Sequence, residues 1–312
     1  MKTGKKKTGV FDAVAARFPG LVEEARERIE ASEREFSAGP EGKDSYLWEH
    51  TAHVASLAFD LARAEKTEPI LAAVAALFHD AGKFAGGAYH EGALPEEEAS
   101  ARLAEKVLRR AGMRSEDILK VASALRSLYN ARAAGNRIAD IVHDADFLAK
   151  FGALGVAQFF IKSTLRGQTL RSALLGSLSK ELTYAAGLPG NMRTTAGRRR
   201  AERKAAETLR YFRSLIRELR ETGIVDLAVK RVSLEPAARP GRSVAVRLAV
   251  PRVCDACGGR WTIAGRTERG AKCEKLEAEI VCAKCGRRSC FSFCLPEIPE
   301  KSGGRKSISG GS

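Results

Sequence analysis

The sequence predicts a mainly α-helical fold, in which a bundle of helices is followed by a small β-rich domain. Amphipathic segments with the 3.6-residue period of a helix recur between residues 11 and 221. Aromatic residues make up only 6% of the chain while alanine is abundant, which favours helices packed through small side chains over a β-sandwich. After Gly223 the hydrophobic pattern changes to the alternation of β-strands.

Glycine and proline residues divide the helical region into separate segments. Helices are predicted over residues 11–36, 45–64, 68–78 and 95–112, and another begins at residue 115. Beyond it, helices are predicted over 137–151, from there through residue 186 until Pro189–Gly190 interrupts the pattern, and over 195–221. Strands are predicted at VAVRLAV (244–250) and EAEIV (277–281). The predicted organisation is a disordered basic tail (1–10), a helical domain (11–223), a β-rich domain (224–300) and a flexible tail (301–312).

The 312-residue composition, 44% hydrophobic and 29% charged, is typical of a soluble globular protein. A net charge of +15 favours polyanionic partners such as nucleotides or nucleic acid. No run of apolar residues is long enough to span a membrane, and the N-terminal segment lacks the apolar region of a signal peptide. We therefore expect a cytoplasmic protein with no membrane partner.

The histidines point to a metal site. All five lie between positions 50 and 143, namely His50, His53, His79, His90 and His143. His79 and Asp80 follow a helix of almost purely apolar residues, and a buried helix holds its end rigidly. A neutral imidazole beside a carboxylate suits a divalent transition metal ion.

Three segments in order resemble the HD-domain metal-dependent phosphohydrolase superfamily: WEHTAHVASLAFDLA (48–62), FHDAGK (78–83) and HDADFLAKFGALGVAQFF (143–160). The resemblance covers roughly residues 43–220. It implies an all-α bundle that cleaves phosphate esters by attack of metal-bound water. The implied ligands are His50, His79, Asp80 and Asp146.

Several assignments stay open at this stage. Ala145–Asp146 fits the family pattern for the last ligand, but Asp144 takes that role if the helical phase differs. Lys83 suits a phosphate oxygen and is predicted to act in catalysis with Asp80, although it equally suits the C-terminal end of a helix dipole. His53 lies one turn from His50 and either supports the site or is partly exposed.

The number of metal ions follows from a missing histidine. Members of the superfamily with two metals carry further histidines after the HD pair, and His90 resembles the nearer one. The segment ILKVASALRSLYN (118–130) has no histidine where the next is expected. We therefore expect one divalent ion (Mn, Co, Ni, Fe or Zn), with His90 as a candidate phosphate contact.

The C-terminal cysteines predict a second metal. CDACGG (254–259) and CAKCGR (282–287) are two CxxC pairs, and such spacing is typical of a zinc ribbon with a structural, tetrahedral Zn²⁺. The predicted ligands are Cys254, Cys257, Cys282 and Cys285. Cys273, Cys290 and Cys294 are interpreted as buried apolar residues or as alternative ligands.

The sequence thus predicts a metal-dependent phosphohydrolase that acts on a phosphate ester of a nucleotide or nucleic acid, with a zinc ribbon that positions the substrate or a protein partner. The alternative is a non-catalytic module that senses a nucleotide or binds nucleic acid. The basic segment 194–220 carries nine Arg or Lys residues and three Glu. It is interpreted as a packed helix with a solvated basic side rather than a dedicated nucleic-acid helix.

Overall fold

The fold is mainly α-helical with small antiparallel sheets near the C-terminus, as predicted. The computed structural model describes residues 9–36, 45–84, 94–129, 135–234, 244–269 and 274–295. The helices are α1 (Val10–Arg17), α2 (Leu21–Phe36), α3 (Tyr46–Ala64), α4 (Pro69–Phe78), α5 (Glu96–Arg110), α6 (Ser115–Ser127), α7 (Arg137–Ala149), α8 (Gly152–Leu165), α9 (Leu170–Asn191) and α10 (Thr195–Glu221). The strands are β1 (Leu227–Leu234), β2 (Val244–Pro251), β3 (Trp261–Arg269), β4 (Glu274–Cys282) and β5 (Arg288–Leu295).

Helix α4 forms the centre of the helical bundle. Every residue from Leu71 to Phe78 is buried, and the helix packs against α3, α5, α6 and α7. A helix that is apolar on all sides must be surrounded by other elements. The bundle therefore fixes the C-terminal end of α4, where the candidate metal ligands begin.

Two predictions about helix ends were wrong. The predicted helix over 11–36 is two helices, α1 and α2, because Pro19 cannot donate a backbone hydrogen bond and Gly20 adopts φ +78°. Conversely, α9 continues past Ala186 with Pro189 inside its last turn. Leu188 is buried in the helical core, and this packing holds the turn together despite the proline.

The strands form two antiparallel sheets. β1 pairs with β2 from Leu227↔Pro251 to Leu234↔Val244, and the second sheet has the order β3-β4-β5. β1, β3 and β5 were not predicted from the sequence. The division of the chain near residues 224–240 stays a prediction.

The β1–β2 hairpin packs against the helices. Ser179 Oγ on α9 accepts a hydrogen bond from Ala249 N at 2.9 Å, and Thr183 Oγ1 accepts one from Arg247 N at 2.8 Å. The two hydroxyls therefore satisfy backbone N–H groups of β2 that β1 does not pair. Among the helices in the described ranges, none is both long and apolar enough to cross a membrane.

Candidate metal centre

Three buried side chains from three helical elements meet at one point. His50 lies in α3, His79 directly follows α4, and Asp146 lies in α7. One nitrogen or oxygen of each lies within 4.8 Å of the others. His50 Nε2 is 3.2 Å from Asp146 Oδ1, and His79 Nε2 is 3.9 Å from the same oxygen.

Asp80 lies beside this group. Its Oδ1 is 3.6 Å from His79 Nε2, and its Oδ2 is 3.8 Å from His50 Nε2. Two ligands that each bind one ion at about 2.1 Å lie roughly 3.0–4.2 Å apart. The distances from these two carboxylates to the two imidazoles therefore suit a common divalent ion.

The tautomer of His79 also suits a metal. Its Nδ1 donates a hydrogen bond to the backbone carbonyl of Ala76 at 2.7 Å. Its Nε2 is buried and has no hydrogen-bond partner in the described part of the chain. An imidazole whose one nitrogen is fixed by a carbonyl presents a lone pair on the other, as metal-binding histidines do.

The electrostatics keep three of the candidate ligands, His50, Asp80 and Asp146, in the forms that metals bind. Burial lowers the pKa of His50, which therefore stays neutral. Although burial acts in the opposite direction, His79 and Lys83 hold the pKa of Asp80 well below its usual range. Against the same effect of burial, Lys150 and His50 hold the pKa of Asp146 low. Neutral imidazoles and ionised carboxylates are the states in which these side chains bind metal ions.

A cation contacts each of the two carboxylates. Lys83 Nζ donates to Asp80 Oδ2 at 2.6 Å, and Lys150 Nζ donates to Asp146 Oδ2 at 2.7 Å. Tyr129 Oη also donates to Asp146 Oδ2, at 2.9 Å. Sequence analysis missed Lys150 and Tyr129. Lys150 lies four residues after Asp146 on a predicted helix, and this spacing could have indicated their ion pair. No pattern in the nearby sequence indicates the contact of Tyr129.

A third lysine lies near this pair of cations. Burial lowers the pKa of Lys162, and Lys150 and Lys83 lower it further. Its Nζ lies 5.6 Å from the centre of the Tyr46 ring. The surroundings of the carboxylates are therefore cationic, which suits an anionic ligand.

The turn that carries His79 and Asp80 is fixed to α5. Ser100 Oγ donates to His79 O at 3.2 Å and accepts from Gly82 N at 2.9 Å. A Cβ at Gly82 would lie 2.5 Å from Glu96 O and 2.8 Å from Ser100 N. The glycine of HDAGK is therefore required by the close approach of two backbones.

Asp144 is not part of the cluster of converging ligand atoms, and its carboxylate binds the chain at the start of α10. Its carboxylate accepts hydrogen bonds from Thr194 N and Thr194 Oγ1 at 2.8 and 2.7 Å, and from Arg193 N at 2.9 Å. His143 Nδ1 is 3.0 Å from Asp144 Oδ1. These contacts hold Thr194, the N-cap residue of α10, against α7.

The two other histidine predictions have different outcomes. His53 is half-buried, and its Nδ1 has no hydrogen-bond partner within the described segments. Burial and the nearby Lys204 lower the pKa of His53 to about 4. His90 lies outside the described residues, as does Cys273.

The four predicted cysteines also come together. Cys254 Sγ is 3.7 Å from Cys285 Sγ, and Cys257 Sγ is 3.5 Å from Cys282 Sγ. Tetrahedral Zn²⁺ with Zn–S bonds of about 2.3 Å sets its sulfurs about 3.8 Å apart. The cluster therefore fits a zinc ribbon. Cys290 and Cys294 lie in β5, and Cys290 is exposed.

The two cysteine loops have matching turns. Gly258 N donates to Cys254 O at 2.8 Å, and Gly286 N donates to Cys282 O at 2.9 Å. Both glycines have positive φ, +69° and +72°. Cys282 receives a hydrogen bond from the backbone N–H of Cys285, which favours the thiolate and lowers its pKa to about 6. The paired turns thus present four sulfurs to one point.

One family model matches part of the chain. Residues 47–150 match the family model of the HD domain. The matched residues contain His50, His79, Asp80 and Asp146. No curated protein matches the chain.

Several solved structures are similar to the chain. YpgQ of Bacillus subtilis in complex with ADP is 22% identical, with a TM-score of 0.46 over 64% of this chain and 96% of its own. A predicted HD superfamily hydrolase from an uncultured Thermotogales bacterium is 21% identical, with a TM-score of 0.46 over 67% and 98%. An HD-superfamily hydrolase from Bacillus thuringiensis is 19% identical, with a TM-score of 0.46 over 64% and 98%.

Proposed function

We propose that this protein is a metal-dependent phosphohydrolase that cleaves a phosphate ester of a nucleotide or nucleic acid. The observation that carries the proposal is the buried Nε2 of His79, which has no hydrogen-bond partner among the described residues and lies 3.6 Å from an oxygen of Asp80 and 3.9 Å from one of Asp146. His50, His79, Asp80 and Asp146 would hold one divalent transition metal ion. Such an ion, when bound, lowers the pKa of a water molecule and polarises a phosphoryl group.

The lysines provide the second part of the argument. Lys83 and Lys150 place ammonium groups on the outer oxygens of the two carboxylates, with Lys162 nearby. A phosphate ester brings negative charge into a site that already contains two carboxylates, so cations are needed to bind it. Lys83 Nζ would hold a phosphoryl oxygen and neutralise the charge that develops during cleavage. Tyr129 would keep Asp146 in position through its hydrogen bond.

Metal reconstitution tests the proposal. The protein is stripped of metal, loaded with Mn²⁺, Co²⁺ or Ni²⁺, and assayed against nucleoside mono-, di- and triphosphates and short oligonucleotides. We expect at least one metal to restore hydrolysis. Asp80→Asn should lower kcat by more than about 100-fold, because loss of even a hydrogen-bond partner of a metal ligand costs about 10–100-fold.

A matched control is available on the surface. Asp60 is about half exposed and pairs with Arg200 at 3.6 Å, away from the candidate ligands. Asp60→Asn makes the same chemical change and should leave kcat within about twofold. If the metal-loaded protein binds metal and nucleotide but cleaves no ester of the panel, the enzyme proposal fails and the sensing module is favoured.

The zinc ribbon would serve as a structural module rather than a catalytic one. Four thiolates fill a tetrahedral ion and leave no position for water or substrate. Arg287 and Arg288 pair with Asp255 and Glu279, whereas the exposed Arg260 forms no ion pair within the described residues and favours an anionic substrate or a protein partner with an acidic surface. Reduced thiolates persist in a reducing compartment, which supports the predicted cytoplasmic location.

A further inference from the structure

The outer face of α10 carries a continuous row of arginines. We call it the arginine row, and it comprises Arg199, Arg203, Arg210, Arg213 and Arg217, all of which are exposed. With 100° per residue, the five side chains fall within about 80° of one another, and with a 1.5 Å rise they span about 27 Å. The buried residues of α10, including Ala201, Phe212 and Leu219, lie on the opposite side.

The members of the arginine row are not ion-paired within the described residues. Their one polar contact in the described ranges is from Arg217 Nη2 to Ser214 Oγ at 3.4 Å. Other exposed helices of this protein do pair their charges, for example Arg26 with Glu30 and Arg102 with Glu98. Within the described part of the chain, single unpaired arginines also occur on α1, α3 and α5, for example Arg17, Arg63 and Arg109, so what distinguishes this face is the alignment of five of them.

The arrangement also opposes the stability of the helix. Arg199 and Arg203, and likewise Arg213 and Arg217, are four residues apart, and Arg210 is three residues from Arg213. Like charges at these spacings repel each other on a helix surface. Glu202, Glu207 and Glu221 lie at the same spacings from members of the row but form no ion pair with them within the described residues, so the charge of the row is available to an anionic partner.

We propose that the arginine row binds the phosphate backbone of double-stranded nucleic acid without reading its sequence. Arginine matches phosphate geometry through paired N–H donors, and a rigid helix presents the five side chains in a straight line. Binders of single strands stack bases on aromatic side chains. The arginine row has no such platform, since Tyr211 lies about 120° around the helix from its centre.

This surface is separate from the candidate metal centre and goes beyond the proposed hydrolysis. No residue of the row contacts His50, His79, Asp80 or Asp146 within the described part of the chain. From the sequence alone, the basic side of this helix was interpreted as solvated, on the basis of the number of its charges. The structure adds their alignment and their lack of partners.

Salt-dependent binding tests the proposal. The full chain is titrated against 20-bp DNA and RNA duplexes between about 50 and about 200 mM salt, with fluorescence anisotropy as the readout. The triple variant Arg203→Gln, Arg210→Gln and Arg213→Gln removes three phosphate contacts. We expect the slope of log K against log salt to become shallower by about 2.7, since each contact contributes about 0.9, and the affinity to fall at least about tenfold.

Two variants separate phosphate contact from net charge. Arg17→Gln, Arg63→Gln and Arg109→Gln remove the same charge from exposed positions on α1, α3 and α5. This control should keep the wild-type slope. Replacing Arg203, Arg210 and Arg213 with Lys should also keep it, because the contacts to phosphate are preserved.

The proposal is overturned if the chain does not bind either duplex at the lowest salt. It is also overturned if the Gln variants of the arginine row and of the control positions reduce the slope of log K against log salt by the same amount. The proposal is also overturned if the chain binds a single strand of equal length, or anionic vesicles, more tightly than it binds duplex. Circular dichroism establishes that the variants remain folded. Because the readout is binding, the result is independent of whether the metal centre hydrolyses any ester.

Discussion

The backbone carbonyl of Ala76 accepts a hydrogen bond from Nδ1 of His79, one helical turn further along the chain. This contact ties an imidazole to the last turn of a helix that is itself completely buried. The ring therefore cannot rotate to satisfy its Nε2, which faces the carboxylates of Asp80 and Asp146. Local helix geometry and the packing of α4 together prepare the nitrogen for a metal ion.

Loss of that nitrogen should abolish metal binding in the helical bundle. His79→Gln keeps a polar side chain of similar reach but removes the imidazole lone pair that Nε2 presents. We expect the affinity for Mn²⁺ or Ni²⁺, measured by isothermal titration calorimetry on zinc-loaded protein, to fall by more than about 100-fold.

The control for this experiment is His53→Gln. His53 shares α3 with His50, but it is not part of the group of converging ligand atoms. We expect His53→Gln to keep the wild-type affinity for the metal ion and His79→Gln to lose it. Equal affinities in all three proteins would contradict the assignment of His79 as a ligand.

Gly82→Ala should disturb the turn that carries the HD pair. The new Cβ would lie 2.5 Å from Glu96 O and 2.8 Å from Ala99 Cβ, so one of two backbones must move. Overpacking of this kind costs about 1–3 kcal/mol, which urea unfolding can measure. Metal affinity should fall as well, because Gly82 N donates to the Ser100 hydroxyl, which in turn donates to His79 O and holds the turn of the HD pair.

A second glycine provides the comparison. Gly176 lies on the exposed side of α9, where a Cβ would meet nothing closer than Gln168 Nε2 at 3.9 Å. Gly176→Ala should raise the free energy of unfolding by about 0.5–1 kcal/mol, because alanine favours the helix. Two glycine-to-alanine changes of opposite sign would identify close packing, rather than chain entropy, as the requirement at Gly82.

Asp144 and Asp146 should respond differently to the same substitution. Asp144→Asn replaces a carboxylate oxygen by an amide that faces the N–H donors of Arg193 or Thr194. We expect a loss of about 1–3 kcal/mol in urea unfolding, with metal binding retained. Asp146→Asn should instead lose the metal. If Asp144→Asn loses the metal and Asp146→Asn does not, the two roles are exchanged.

The parts of the site that were predictable from the sequence are those set by residues close together along the chain. The apolar helix before His79 is readable because its burial follows directly from its composition. His50 and Asp146 were predicted through the resemblance to a family. Tyr129 was not predictable, because its contact with Asp146 arises where the end of α6 meets α7.

The limits of the fold prediction have similar causes. The strands β1 and β5 mix charged and apolar residues, and their pairing partners decide their conformation more than their own sequences do. Pro19 and Gly20 were visible as helix breakers, but the continuous amphipathic pattern on both sides concealed the break. Pro189 was given too much weight, since the buried Leu188 beside it keeps α9 helical.

Zinc removal should weaken the small core that the sheet β3-β4-β5 shares with β1 and β2. Cys282 ends β4 and Cys254 precedes β3, so the four sulfurs hold strands that bury only a small core. Cys257→Ser should lower the zinc content, measured by mass spectrometry of metals, by about one ion per chain. Cys290→Ser should leave it unchanged, because Cys290 is not one of the four clustered sulfurs.

Acid should weaken the fold through His53. Burial and Lys204 lower its pKa to about 4, against an ordinary value of 6.5. Between about pH 6.5 and about pH 4 the unfolded chain binds this proton and the folded chain does not. The stability that a neutral His53 contributes is therefore complete above about pH 6.5 and declines as the pH falls through this window.

His53→Gln removes the group that titrates between about pH 6.5 and about pH 4. On acidification from about pH 7 to about pH 4, wild type should lose more unfolding free energy than the variant, by on the order of 1–2 kcal/mol after allowance for solvent screening of a half-buried ring. Urea unfolding at matched pH values, with wild type and variant side by side, measures this difference. Parallel decline of the two proteins would mean that the folded and unfolded chains protonate His53 at the same pH, and that the missing hydrogen bond at its Nδ1 carries no electrostatic consequence.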